Sequence, residues 1–236
     1  MDSEIKKRQL ILQQRRPFPD GILSYIRELN ELDWVYSSLR LDGFALERET
    51  VRRILKGELV REVPLGVHSL IGNYGEALKL IDRLMDDRYD LSERYLLELH
   101  GLLIQPAETA YRQSNPVLRH LNYNPPHFKE LGSEMGGFFR SYYSAAAALD
   151  PVQRAALLHN RLIAVYPFAE QMEATARAAA QFILMQHGYP PIEWAISEQE
   201  YLAALRCFLL QGDGQAVADI ISQALLLKLG VLLQLT

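Results

Sequence analysis

The chain has 236 residues, 49% of them hydrophobic, enough to bury a substantial core in one domain, or in one domain with a helical extension. A net charge of −4 provides no broad cationic surface, which argues against sequence-independent nucleic-acid binding. Cys207 is the only cysteine, which excludes an intrachain disulfide and any zinc site built on paired thiolates, and suits a reducing compartment.

Met1-Asp2-Ser3-Glu4-Ile5-Lys6-Lys7 lacks the apolar core of a signal peptide, and a cytoplasmic setting is expected. The cluster Lys6-Lys7-Arg8 with Arg15-Arg16 reads as the solvated face of a terminal helix. From Asp20 to Arg40, Ile22, Leu23, Ile26, Leu29, Leu32, Val35 and Leu39 recur at helical spacing, and Gly43 is a stop signal. A short helix is predicted over 47–55, ending at Gly57, and two more over 69–85 and 92–103, the second with Ser92 as N-cap. Residues 104–127 carry Pro106, Pro116, Pro125 and Pro126 and read as loop, with at most one small hairpin.

Helices follow over 128–149, 151–165 and 173–187; Pro151 suits a first helical turn, and Gly188 with Pro190-Pro191 closes the third. The segments 197–210 and 215–235 complete an all-α chain. The apolar run Ala224 to Leu235 is shorter than a membrane span and interrupted by Lys228 and Gln234, so a helix buried on the body or at a dimer seam is expected rather than a membrane contact. His159 and His100 sit among apolar residues and read as hydrogen-bonded core imidazoles. The remaining histidines are scattered at no metal-ligand spacing, so no metal site is expected.

One segment carries more than packing information: Tyr166-Pro167-Phe168-Ala169-Glu170-Gln171-Met172-Glu173-Ala174-Thr175-Ala176-Arg177. It resembles the signature loop of Fic-domain proteins, His-Pro-Phe-x-(Asp/Glu)-Gly-Asn-Gly-Arg-x-x-Arg, which precedes a core helix in that family. Pro167, Phe168, Glu170 and Arg177 fit; the histidine is Tyr166, the Gly-Asn-Gly is Gln171-Met172-Glu173, and the first arginine is Ala174. Three further fragments occur in family order. His159 to Val165 resembles the lead-in to the loop; Ala110-Tyr111-Arg112, with Tyr123-Asn124-Pro125-Pro126 after it, resembles the substrate-side flap; and Ser38-Leu39-Arg40-Leu41-Asp42-Gly43 resembles the autoinhibitory helix. The resemblance implies a Fic-like helical bundle in one compact unit. N-terminal helices would occupy 1–60, with an inhibitory-helix-like segment at 20–43, and the Fic-like domain 61–236, with its core at about 91–190.

In the family the loop histidine is a general base for transfer of AMP from ATP to a protein hydroxyl. A tyrosine, with an ordinary pKa near 10, is protonated at neutral pH and is a poor replacement. Consecutive glycine-rich amides at a helix N-terminus would cradle phosphates; Gln171 to Glu173 add three side chains and a negative charge there, and Ala174 removes a guanidinium clamp. Pro167 and Phe168 read as packing residues, and Glu170 as a helix N-terminal carboxylate. Arg177 is expected to pair with Asp42 rather than bind an anion, while Tyr111-Arg112 could hold a target segment by strand addition.

The resulting expectation is a pseudoenzyme without cofactor that binds a protein partner or forms a homodimer, with no nucleic acid and no membrane involved. The alternatives are a transferase using ATP and Mg through a rearranged site, with His159 or Glu170 as base, and a purely structural helical adaptor.

Overall fold

A computed structural model describes residues 2–236, which form eleven α-helices. In chain order these are α1 (Asp2–Gln14), α2 (Asp20–Leu41), α3 (Arg48–Leu55), α4 (Leu65–Asp86), α5 (Glu93–Leu103), α6 (Leu131–Gly136), α7 (Phe138–Ala146), α8 (Pro151–Val165), α9 (Met172–Gln186), α10 (Glu198–Gln211) and α11 (Gln215–Leu235). The described residues contain no sheet; Leu118 and Tyr123 make one isolated antiparallel bridge in the proline-rich stretch, less than the hairpin allowed for it.

The centre of the bundle is α9, buried from Ala174 to Leu184 without interruption. Alanine at 174, 176, 178, 179 and 180 favours helix and lets neighbours approach closely, and α8, α5 and α4 pack around it. Its main partner, α8, starts where the sequence places it. Asp150 accepts from the amides of Val152 and Gln153, and Gln153 returns a bond to the Asp150 amide, closing a capping box ahead of Pro151. Asp150→Ala is expected to cost about 1 kcal/mol, read as a lowered urea midpoint at unchanged slope.

Several element boundaries differ from the sequence reading. The predicted helix over 128–149 breaks into a 3₁₀ turn at Phe128–Glu130, α6 and α7, the last two meeting at Gly137 with φ −118° and ψ −2°. α4 begins at Leu65, four residues before the expected start at Ser69, whose hydroxyl instead donates back to the Leu65 carbonyl at 3.2 Å. Ser92 does stand at the N-cap of α5, but its side chain makes no capping bond.

α11 runs for 21 residues and is, by length and composition, long and apolar enough to cross a membrane, unlike the shorter run read from sequence. Half of it is buried, packed on α1, α8 and α10. Lys228, which interrupts the run, is buried and donates to Asp33 on α2 at 2.6 Å; Asp33 also pairs with Arg48, which reaches Glu193. The basic cluster of α1 is only partly a solvated face: Arg8 donates to the Leu226 carbonyl at 2.9 Å and Arg15 to that of Leu233 at 2.6 Å, clamping α1 along α11.

Candidate functional site

The loop between α8 and α9 is held at both ends by left-handed residues, Tyr166 at φ 49° and Gln171 at φ 50°. Left-handed backbone disfavours side chains with a Cβ, so the turn persists here without its glycine at a cost of roughly 1–2 kcal/mol per residue. Phe168 anchors it: its ring is buried and stacks on His100 with centroids 3.7 Å apart, and Tyr111 leans against it at 5.7 Å. His100 Nε2–H donates to the Glu170 carbonyl at 3.1 Å, which leaves Nδ1 to accept from the Thr109 hydroxyl at 2.8 Å. Burial holds this imidazole at about 4, neutral at physiological pH.

The flap-like segment is stapled to the same loop. Arg112 is buried and sends its guanidinium to the carbonyls of Tyr166 at 2.7 Å, Ser114 at 3.1 Å and Pro126, while its amide donates to the Pro167 carbonyl at 2.9 Å. Tyr111 donates its hydroxyl to Glu93. Both side chains named in the sequence for target binding are therefore spent internally. Any strand addition here would have to use backbone and exposed neighbours such as Val117.

Three substituted motif positions send their side chains in three directions, so the cradle is not filled by all of them. Met172 is fully buried in the core, and Gln171 accepts from the Tyr74 hydroxyl at 3.2 Å. Gln171 and Glu173 both line the cleft, where the Oε1 of Glu173 accepts from the Tyr166 hydroxyl at 3.0 Å and from His120 Nε2–H at 3.4 Å. Burial and the Glu173 carboxylate raise the Tyr166 phenol well above its ordinary value, so it stays protonated and cannot serve as a base.

Arg177 is fully buried on α9. Its Nη2 donates to Asp42 Oδ1 at 2.7 Å and to the Ser38 carbonyl at 3.4 Å, its charge lies 5.5 Å from the Tyr201 ring, and Asp42 also accepts from Tyr74. Burial opposes the charge, but Asp42, Tyr201 and Tyr74 together hold its pKa above the usual arginine value. Gly43, at φ 84°, follows Asp42 beyond the end of α2, and its freedom to adopt that conformation turns the chain away. Glu170 is exposed, with only its carbonyl engaged in the loop.

These groups border a cleft of about 290 Å³ lined by Asp42, His120, Tyr166, Glu173, Ala174 and Glu198, among others. No lysine or arginine is among its lining residues; of its three carboxylates Asp42 is paired with Arg177, while Glu173 and Glu198 have no lysine or arginine partner among the described residues.

The stretch that holds the loop, its flanking helices α8 and α9 and the flap-like segment matches one family model, described as the Fic/DOC family, over residues 90–184. Residues 90–184 are a Fic/DOC domain. The chain is similar to protein adenylyltransferase fic-1 of Caenorhabditis briggsae, 25% identical over 181 residues, and to protein adenylyltransferase Fic of Drosophila melanogaster, 28% identical over 178 residues. Each alignment covers 73% of this chain, but the chain spans only about a third of either relative, 35% and 36%. Its fold is that of a Fic domain containing signaling protein from Bacteroides thetaiotaomicron, with a TM-score of 0.84 at 20% identity, covering 98% of this chain and 96% of that one. Fic-1 from C. elegans superposes with a TM-score of 0.82 at 19% identity over 98% of this chain and 70% of that one.

The structure brings together Ser38 and Asp42, which precede the matched stretch, with Arg177 on one side of the loop, and Arg112, Tyr166 and Pro167 on the other. His159 lies outside the cleft. It is fully buried, accepts from the Tyr201 hydroxyl at 2.7 Å through Nε2, donates from Nδ1 to Asn160 at 3.2 Å, and is pushed down to about 3 by burial. His120 is the residue that sequence reading missed. It lies 53 positions before Glu173, and no local pattern marks a side chain that reaches a cleft from the flap. Among the described residues no group of three or more His, Cys, Asp or Glu side chains is arranged to hold a metal.

Proposed function

We propose that this chain is a degenerate Fic-fold protein that does not transfer AMP by the family's route and acts by holding a protein partner. The observation that carries the reading is the charge of the cleft. A triphosphate entering it would meet Asp42, Glu173 and Glu198, with Arg177 committed to Asp42 and Ala174 standing where a second arginine would be. Like charges ~4 Å apart repel by about 1 kcal/mol in water and about 4 at intermediate dielectric, so Glu173 and Glu198 each work against a nucleotide, and the Asp42–Arg177 pair offers it no free cation. The protonated phenol of Tyr166 offers no base.

Calorimetry with millimolar ATP and Mg is expected to give no resolvable heat of binding, and labelled ATP no AMP-modified protein. Saturable binding together with transfer to a protein target would refute the reading. For the partner, Val117 on the flap is 77% exposed, and a photo-crosslinker placed there is expected to give a discrete adduct, whereas one at the 71% exposed Leu65 on α4 is not.

One observation favours a transferase with a rearranged site as the second reading. Glu173 accepts from His120 Nε2 at 3.4 Å, and no hydrogen bond engages Nδ1 among the described residues, so an imidazole with one uncommitted nitrogen lines the cleft. His159 and Glu170 do not occupy that position. Under this reading His120→Asn abolishes turnover while leaving the fold intact.

A further inference from the structure

A second cleft, sharing no lining residue with the first, opens where α8, α10 and α11 meet. It encloses about 220 Å³, with Leu149, Leu157, Phe208 and Ala218 on its walls and Asn160, Gly212 and Gly214 among the residues at its polar end. Asn160 is 1% exposed. Its Oδ1 accepts the Nδ1–H of His159 at 3.2 Å, and this bond orients the amide and leaves Nδ2 without any hydrogen-bond partner among the described residues. A buried donor left unmade costs about 1–3 kcal/mol, so an acceptor supplied from outside would be strongly favoured at this point.

The turn Gly212-Asp213-Gly214 packs beside that buried donor without placing a side chain against it. A Cβ on Gly214 would lie 3.1 Å from Asn160 Nδ2 and 3.8 Å from the Phe208 ring, closing the space beside the amide. The backbone does not require glycine there, because Gly214 sits at φ −85°, a conformation any residue adopts. The absent side chain therefore matters for space rather than for backbone freedom. Gly212, by contrast, needs its φ of +74° to end α10.

We propose that this cleft binds a small neutral molecule that carries a carbonyl or amide oxygen on an apolar body. The oxygen accepts from Asn160 Nδ2, and the body packs between Phe208 and Leu157. An anion is disfavoured, because Asp150 and Asp213 adjoin the lining residues Leu149, Gly212 and Gly214 in sequence and no lysine or arginine is among the lining residues. The volume is below that of a drug-sized site, so the ligand is small.

Benzamide is a suitable probe, followed by ¹⁵N-resolved NMR of the full chain. Saturable shifts are expected at the Gly212 and Gly214 amides and at the Asn160 side-chain amide. Toluene, which has the ring without the oxygen, and benzoate, which has the oxygen with a charge, are each expected to bind about tenfold more weakly, the loss that one hydrogen bond of ~1.4 kcal/mol represents. Gly214→Ala should show the same weakening toward benzamide with an unchanged thermal midpoint, and Asn160→Asp, which replaces the donor and keeps the shape, should do so as well. The proposal is overturned if toluene binds within twofold of benzamide, if Gly214→Ala binds benzamide undiminished, or if benzamide gives no saturable shift up to its solubility limit.

Discussion

Asp42→Ala is expected to destabilise the protein by about 3–5 kcal/mol, because it leaves the fully buried Arg177 charge without its counter-charge. Only one guanidinium nitrogen of Arg177 is engaged; Nε and Nη1 have no hydrogen-bond partner among the described residues, so only the uncharged Ser38 carbonyl at 3.4 Å would remain. The substitution also takes away the carboxylate oxygen to which the Tyr74 hydroxyl donates, leaving it Gln171 Oε1 at 3.2 Å. Arg177→Met should cost less, since it removes the charge while keeping most of the buried volume, and Asp42, with its side chain 16% exposed, retains Tyr74 and some water. The double variant should therefore be more stable than the sum of the single losses predicts. Urea denaturation of the four proteins at pH 7.5 measures this coupling, and an Asp42→Ala protein within 1 kcal/mol of the parent would show that the pair is not a structural tie.

Acid should unfold the protein through two imidazoles. His100 and His159 are held at about 4 and about 3 in the folded state against an ordinary 6.5, in both cases chiefly by burial. A base whose folded pKa is depressed binds its proton in the unfolded chain first. Between pH 6.5 and about 4 the unfolded state therefore takes up two protons that the native state refuses, and stability falls as pH falls. At pH 5 each group contributes a loss of about 2 kcal/mol relative to pH 7.5, together about 4, a large share of the 5–15 kcal/mol that holds an ordinary domain together. His159→Gln, which removes one of the two sites, should roughly halve the change in unfolding free energy between pH 7.5 and pH 5. A flat profile over that interval in the parent protein would mean that neither ring is kept neutral by the fold.

These two experiments bear on the cleft as well as on the core. Asp42 and Arg177 close one side of the loop, and His100 supports the other by bonding the Glu170 carbonyl and stacking on Phe168. A protein that loses either support should lose the position of Glu173 and with it the bond to His120. Loss of fold and loss of cleft geometry are thus expected together, and partner capture through Val117 should be read only on variants whose urea midpoint is unchanged.

Much of this was legible along the chain. Apolar spacing at 3.6 residues marked most of the helices, since helical periodicity is a property of neighbours in sequence. The Asp150-Pro151 start and the Pro-Phe-x-Glu frame were likewise local, and the fragments of the flap and of the α2 end pointed to Asp42 and Arg177 as partners before any contact was visible. The single helix read over 128–149 is instead a 3₁₀ turn and two short helices that meet at Gly137, because the low helix propensity of Gly136-Gly137 weakens a continuous helix without marking where it breaks.

What the sequence determined by itself is a helical chain with a loop that resembles the Fic signature but carries Tyr166, Gln171 to Glu173 and Ala174 where that pattern has histidine, Gly-Asn-Gly and arginine. Only the tertiary structure decided where the replacements point: Met172 into the core, Gln171 to Tyr74, Glu173 to Tyr166 and His120. It also decided that Arg112 is a staple, that Lys228 is buried against Asp33, and that Asn160 is left with an unmet donor beside Gly214. The reason is physical. Helix formation is governed by residues three and four apart, whereas a side chain's partner is chosen by distance through space, and the pairs that define these sites are separated by 53, 135 and 195 positions in the chain.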